Sequence, residues 1–155
     1  MDRWRKLRRL SAPEWWLLVQ AMVLLPLTAV ALHLMGLRRW QLVLARLAPV
    51  EDAAAASPAE PSFEHARRAA RMIAAASRHG LWRANCLEES LVLWWLLRRR
   101  AIRAELRIGV RKGASRVEAH AWVELDGLIL NDSDDVNRRY PPFDRDIARL
   151  GVEPR

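Results

Sequence analysis

The chain has a single cysteine, Cys86, followed by His120 and then Asp132. A thiol, an imidazole and a carboxylate can act as nucleophile, base and orienting group, carrying an acyl group on sulfur as a thioester. The alternative for a lone thiol is a buried structural cysteine, and composition alone does not choose between the two. One cysteine excludes an internal disulfide and a cysteine-based zinc site. No metal ligand set and no cofactor motif is read from the residues, and a P-loop sequence is missing.

The elements that must hold these three residues are legible around them. Cys86 opens an apolar run, Cys86-Leu-Glu-Glu-Ser-Leu-Val-Leu-Trp-Trp-Leu-Leu97. Asn85 is a suitable N-cap, which puts Cys86 in the first turn of a helix. There the unpaired N–H groups and the helix dipole favour a thiolate, and the same N–H groups can stabilise an oxyanion. Ser90 and Trp94 lie four and eight residues on, sharing the helix face of Cys86. His120 lies in the alternating stretch Val117–Leu125, which puts Val117, Ala119, Ala121, Val123 and Leu125 on one face of a strand and His120, Trp122 and Glu124 on the other. Ile102–Val110 alternates in the same way and predicts the preceding strand.

The turn at Asp126-Gly127 sets the geometry of the candidate pair. A two-residue loop pairs Leu125 with Leu128, so a regular ladder sends His120 and Asp132 to opposite faces. A three-residue loop with Gly127 as a left-handed bulge residue pairs Glu124 with Leu128 and brings His120 opposite Asp132. The bulged hairpin is therefore the expectation, with Asp132 ending the next strand. Asp134 and Asp135 are rivals read as turn or surface carboxylates, and Asn131 is read as stabilising the turn region. The stretch from Tyr140 reads as a packed C-terminal extension.

At 155 residues and 52% hydrophobic, the chain can bury a core. Its net charge of +8 is uneven: residues 1–50 carry eight basic and two acidic residues, a net +6. The basicity thus belongs to the N-terminal segment, and without a recognisable basic–aromatic module no nucleic-acid partner is expected. Residues 2–10 form a basic arm. Ser11 and Glu14 then mark a helix start, and residues 15–37 contain no Asp, Glu, Lys or Arg. That run is long enough to cross a bilayer. It reads as a buried helical subdomain, as a membrane-contacting or membrane-spanning helix, or as a signal segment. Pro26 is expected to kink or break it, Gly36 to cap it, and Arg38–Arg46 to form a second amphipathic helix. The divisions expected are an N-terminal helical segment over 1–50, a linker over 51–62 and a core over 63–155. A helix over 63–78 opens that core, with His65 and His79 at solvated ends.

Asn85-Cys-Leu-Glu-Glu-Ser-Leu91, Leu106-Arg-Ile-Gly-Val110, Ala119-His-Ala-Trp-Val-Glu-Leu-Asp-Gly127 and Asn131-Asp132 together resemble the stand-alone leader peptidase of bacterial lasso-peptide biosynthesis. The resemblance covers about residues 81–143. It implies an α+β fold with a papain/transglutaminase-like core: a helix bearing the nucleophilic cysteine packed on a small antiparallel sheet, with an N-terminal helical subdomain. It also implies a Cys86–His120–Asp132 triad that removes the leader from a ribosomally made precursor peptide. A separate leader-recognition protein and a lasso cyclase are the implied partners, in the cytoplasm, with membrane contact through residues 15–37 as a further option. The same triad would serve a transglutaminase-type acyl transferase. A non-catalytic, membrane-associated scaffold is the reading outside enzymology.

Overall fold

A computed structural model describes residues 10–48, 60–80, 82–112 and 117–142. The basic arm over 2–9, most of the expected linker, the turn at 113–116 and the tail from 143 lie outside these residues. The described elements are α1 (Ala12–Leu47), α2 (Glu60–His79), α3 (Cys86–Arg98), β1 (Glu105–Lys112), β2 (Val117–Leu125), β3 (Leu128–Ile129) and α4 (Val136–Arg139). The class is α+β, with three long helices and one antiparallel sheet in the order β1-β2-β3.

Helix α3 is the centre of the molecule. Leu91, Val92, Leu93, Trp94, Leu96 and Leu97 are all buried, as befits a helix that is apolar nearly all round. It joins α1 and α2 to the sheet in one hydrophobic cluster, which runs from Leu17 and Leu25 through Ala66, Ala69 and Ile73 to Leu106, Val123 and Leu125. The alanines of α2 let the helices approach closely. His65, expected at a solvated helix end, is instead half-buried. Burial first, then the nearby Arg100 and Arg68, lowers its pKa below the ordinary imidazole range.

Two expectations about α1 separate. The Ser11 backbone N–H donates to Glu14 Oε2 at 2.8 Å, so the start is capped as the sequence indicates. The helix does not break at Pro26. The break falls at Gly36, at φ 77° and ψ 168°, where two helical pieces meet across a kink, as the expected cap and second helix over 38–46 require. Pro26 forfeits the bond to the carbonyl of Met22, an exposed residue, and water can satisfy that carbonyl at the surface. Gly36 adopts a positive φ that glycine reaches without steric penalty.

The polypeptide leaves α3 through Ala101, at φ 56°. The Ala101 N–H donates to Arg98 O and the Ile102 N–H to Leu97 O, the two bonds of a Schellman motif. This buries Ile102 ahead of the sheet, so β1 begins at Glu105, not at Ile102. Strand β2 occupies the expected residues.

Candidate active site

The head of α3 is fixed by its own sequence. The Glu88 N–H donates to Asn85 Oδ1 at 2.9 Å. In return Glu88 accepts the Asn85 N–H at 3.1 Å and the Asn85 side-chain amide at 2.8 Å. The indole N–H of Trp82 donates to the same carboxylate at 3.0 Å. This reciprocal cap holds Cys86 at the first helical position, half-buried, as a free thiol. It also fixes the partly exposed Trp82 ring four residues upstream.

The hairpin differs from the expected one. Leu125 pairs with Leu128 and Glu124 with Ile129, so the loop has two residues. Asp126 at φ 51° and Gly127 at φ 79° are both left-handed. That is the turn whose twist suits paired strands, and Asp-Gly is a favoured sequence for it. Strand β3 also ends at Ile129, short of Asp132.

His120 and Asp132 meet even so, because the chain leaves the ladder. The Leu130 N–H still donates to Val123 O at 3.0 Å. The Val123 N–H, however, donates to Asn131 Oδ1 at 2.8 Å. A side-chain oxygen thus takes the place of a ladder carbonyl. The backbone turns out of the sheet there, and Asp132 reaches the face that regular alternation would deny it. The carboxylate Oδ2 then bonds His120 Nε2.

Asp132 is gripped from its other side as well. Its Oδ1 accepts the Ser133 N–H at 2.7 Å, the Ser133 hydroxyl at 3.0 Å and Arg139 Nη2 at 3.0 Å. Burial would raise its pKa, but the hydrogen bonds from His120 and Ser133 outweigh it, and the net shift is downward. An ionised carboxylate only accepts hydrogen bonds. Nε2 of His120 is therefore the donor in this bond.

Aromatic contacts set the plane of that ring. Tyr140 stacks on His120 with centroids 5.0 Å apart, and Trp122 lies at 6.3 Å. The Trp122 indole N–H donates to Glu124 Oε1 at 2.8 Å. Gly109, the partner of His120 across the β1–β2 ladder, leaves space for this packing. A Cβ there would lie 2.5 Å from Tyr140 O and 2.9 Å from Trp122 Cη2.

The helix and the strand are joined by one buried hydroxyl. Ser90 Oγ donates to Ala121 O at 3.0 Å and accepts from Asn131 Nδ2 at 2.9 Å. Ser90 is fully buried and lies one helical turn after Cys86. Ala121 adjoins His120, and Asn131 adjoins Asp132. The structure thus brings His120 and Asp132 into direct contact and ties the helix headed by Cys86 to both through Ser90.

The rival carboxylates stand elsewhere. Asp134 is exposed, and Asp135 precedes α4, where it accepts the Ser133 hydroxyl at 2.6 Å. Sequence reasoning missed Tyr140, Arg139 and Ser133 as neighbours of the pair. The adjacency of Ser133 to Asp132 was the available signal for one of them. It also assigned Asn131 to the turn region, whereas its side chain joins β2 to Ser90.

The set holds a thiol at a helix N-terminus and an imidazole bonded to a carboxylate, which are the components of sulfur-based acyl chemistry. No significant match to a curated protein or to a solved structure accompanies the chain. Residues 27–144 match the transglutaminase-like superfamily, a span that runs from the middle of α1 past Tyr140. With the α+β architecture and the Cys86 helix packed on its sheet, the chain belongs to the transglutaminase-like superfamily.

Proposed function

We propose that this protein is a cysteine peptidase that removes the leader from a ribosomally made lasso precursor peptide. Membership in the superfamily suggests cysteine-peptidase or acyltransferase chemistry. The resemblance of the Cys86, His120 and Asn131-Asp132 segments to lasso leader peptidases supports the narrower assignment. The observation that carries the reading is the His120–Asp132 pair, linked by Ser90 to the helix that begins at Cys86.

In this reading His120 Nδ1 takes the proton of Cys86, and the sulfur attacks the scissile carbonyl. The oxyanion of the tetrahedral intermediate is stabilised by free N–H groups in the first turn of α3. As the C–N bond breaks, His120 returns its proton to the leaving amine, and the leader remains on sulfur as a thioester. Water, deprotonated by the same nitrogen, releases it and restores the thiol. Asp132 keeps the ring in the tautomer this requires. The freed core amine is then available to a separate ATP-using cyclase. A separate leader-recognition protein presents the precursor, and the reaction takes place in the cytoplasm.

The test combines the precursor, the recognition protein and either wild-type protein or Cys86→Ala, with product masses read directly. Separate leader and core from wild type alone is the expected result. Cleavage retained in Cys86→Ala would remove sulfur from the mechanism, and a cross-linked product would replace hydrolysis with acyl transfer.

A further inference from the structure

The outer face of α1 has no covering element among the described residues. Trp16, Val23, Leu27, Val30 and Leu34 follow one another at three-, four- and seven-residue steps, and they are exposed by between 50% (Leu27) and 74% (Leu34). From Trp16 to Leu34 the stripe is about 27 Å long. No charged side chain interrupts it, because residues 15–37 contain none. Contiguous apolar surface on a monomeric soluble domain rarely exceeds a few hundred Å², and larger patches mark places where something binds.

Charge identifies the occupant. In the sequence the stripe is preceded by Arg3, Arg5, Lys6, Arg8 and Arg9 and followed by Arg38, Arg39 and Arg46. A second copy docking through this face would bring an equal cationic segment against the first, which repulsion opposes. An anionic bilayer attracts both flanks and accepts the aliphatic stripe between them. Trp15 and Trp16, both exposed at one end of the stripe, are of the residue type that collects at membrane–water boundaries.

The opposite face of α1 fixes the mode of contact. Leu17, Leu18, Ala21, Leu25, Thr28 and Ala31 are buried along the same length of helix, and all but Thr28 belong to the cluster shared with α2 and α3. Arg68 and Arg71 of α2 lie near enough to Glu14 to influence its titration. A crossing helix would have to abandon this packing or draw those charges into hydrocarbon. We infer that α1 lies in the plane of an anionic lipid surface, dipping the Trp16–Leu34 stripe into it while its inner face stays in the protein core. This inference stands independently of the peptidase assignment.

The test is co-sedimentation of the full chain with vesicles of phosphatidylcholine alone and with phosphatidylglycerol added, at low and high salt. Binding at least about tenfold stronger to the anionic vesicles, weakened by salt, is expected. The double variant Val23→Glu/Leu27→Glu changes only exposed positions. It should lose about tenfold or more of that binding while its circular dichroism and melting temperature stay close to wild type. Equal binding to both vesicles, or no binding, would overturn the inference. So would resistance of the bound protein to alkaline extraction, which means spanning, or a concentration-dependent dimer without vesicle binding, which means the stripe serves a second copy. Should the double variant fold poorly, the comparison of vesicles with wild-type protein still decides the matter.

Discussion

The two faces of β2 are built on different principles. On one, Ala121, Val123 and Leu125 are buried, and Val123 and Leu125 join the apolar cluster around α3. On the other, His120, Trp122 and Glu124 are each held by a directional partner: Asp132, Glu124 and Arg107 respectively. Apolar packing is non-directional and tolerates exchange among residues of similar volume. Hydrogen bonds and ring stacking fix orientation. The first face holds the strand against α3, and the second aims one imidazole. Stability and chemistry should therefore respond separately to substitution on the two faces.

The sharpest separation is expected from Asp132→Asn. Removing the charge while keeping the shape should lower the proposed peptide cleavage by on the order of 10³-fold or more, because the ring loses its orienting partner and its counter-charge. Folding near neutral pH should change far less, as measured by denaturant titration. The pH dependence has a definite sign. The carboxyl pKa is lowered in the folded protein, so the unfolded chain binds the proton more readily. The stabilisation from Asp132 is then fully present above the ordinary aspartate value, about 3.9, and is lost as pH falls below it toward the folded value. The stability difference between wild type and Asp132→Asn should shrink over that acidic window. A difference that grew there would contradict the bond geometry.

Leu125→Ala is the counterpart on the aliphatic face. Leu125 is completely buried, and its truncation should cost about 2–5 kcal/mol of stability. The pH profile of cleavage by the folded fraction should keep its shape. A shifted profile would mean that the aliphatic face also tunes the imidazole.

Gly109→Ala probes the aromatic face without touching a titrating group. Its new methyl meets Tyr140 O at 2.5 Å and Trp122 Cη2 at 2.9 Å. About 1–3 kcal/mol of destabilisation is expected, along with reduced turnover as Tyr140 is displaced from His120. Unchanged turnover would reduce Tyr140 to a space-filling role.

Ser90→Ala works at the seam between the two faces. It leaves the Ala121 carbonyl and the Asn131 amide without their buried partner, at a cost of about 1–2 kcal/mol. Turnover should fall more than this loss of folded protein explains, since the hydroxyl connects the Cys86 helix to the strand bearing His120. Ser90→Thr, which keeps the hydroxyl, should recover part of the turnover. Equal effects of Ala and Thr would make Ser90 a packing residue only.

These contacts also explain what could be read from the sequence. Strand β2 follows from strict alternation, and the α3 cap from Asn85 at the head of an apolar run. Both signals are local. The hairpin did not follow, because Asp126-Gly127 suits a two-residue or a bulged loop equally well. The choice is coupled to Asn131, which bonds Val123 and a serine 41 residues away in the chain. Tyr140 escaped for the same reason, since His120 lies 20 residues before it; Arg139 lies only seven residues from Asp132, but no periodicity marks it. Pro26 misled because the lost bond and the ring clash that a proline brings do not by themselves end a helix whose inner face is packed along its length.

The bridge between Gly109 and Pro142 carries a consequence for how other chains can approach. A small sheet with bare margins invites strand addition and aggregation. Pro142 lies across the outer margin of β1 and has no N–H to offer a newcomer. On the far side, beyond Leu130, Ser90 and Asn131 occupy the polar groups of Ala121 and Val123. At Gly109, therefore, an extended peptide approaching β1 meets a position already paired.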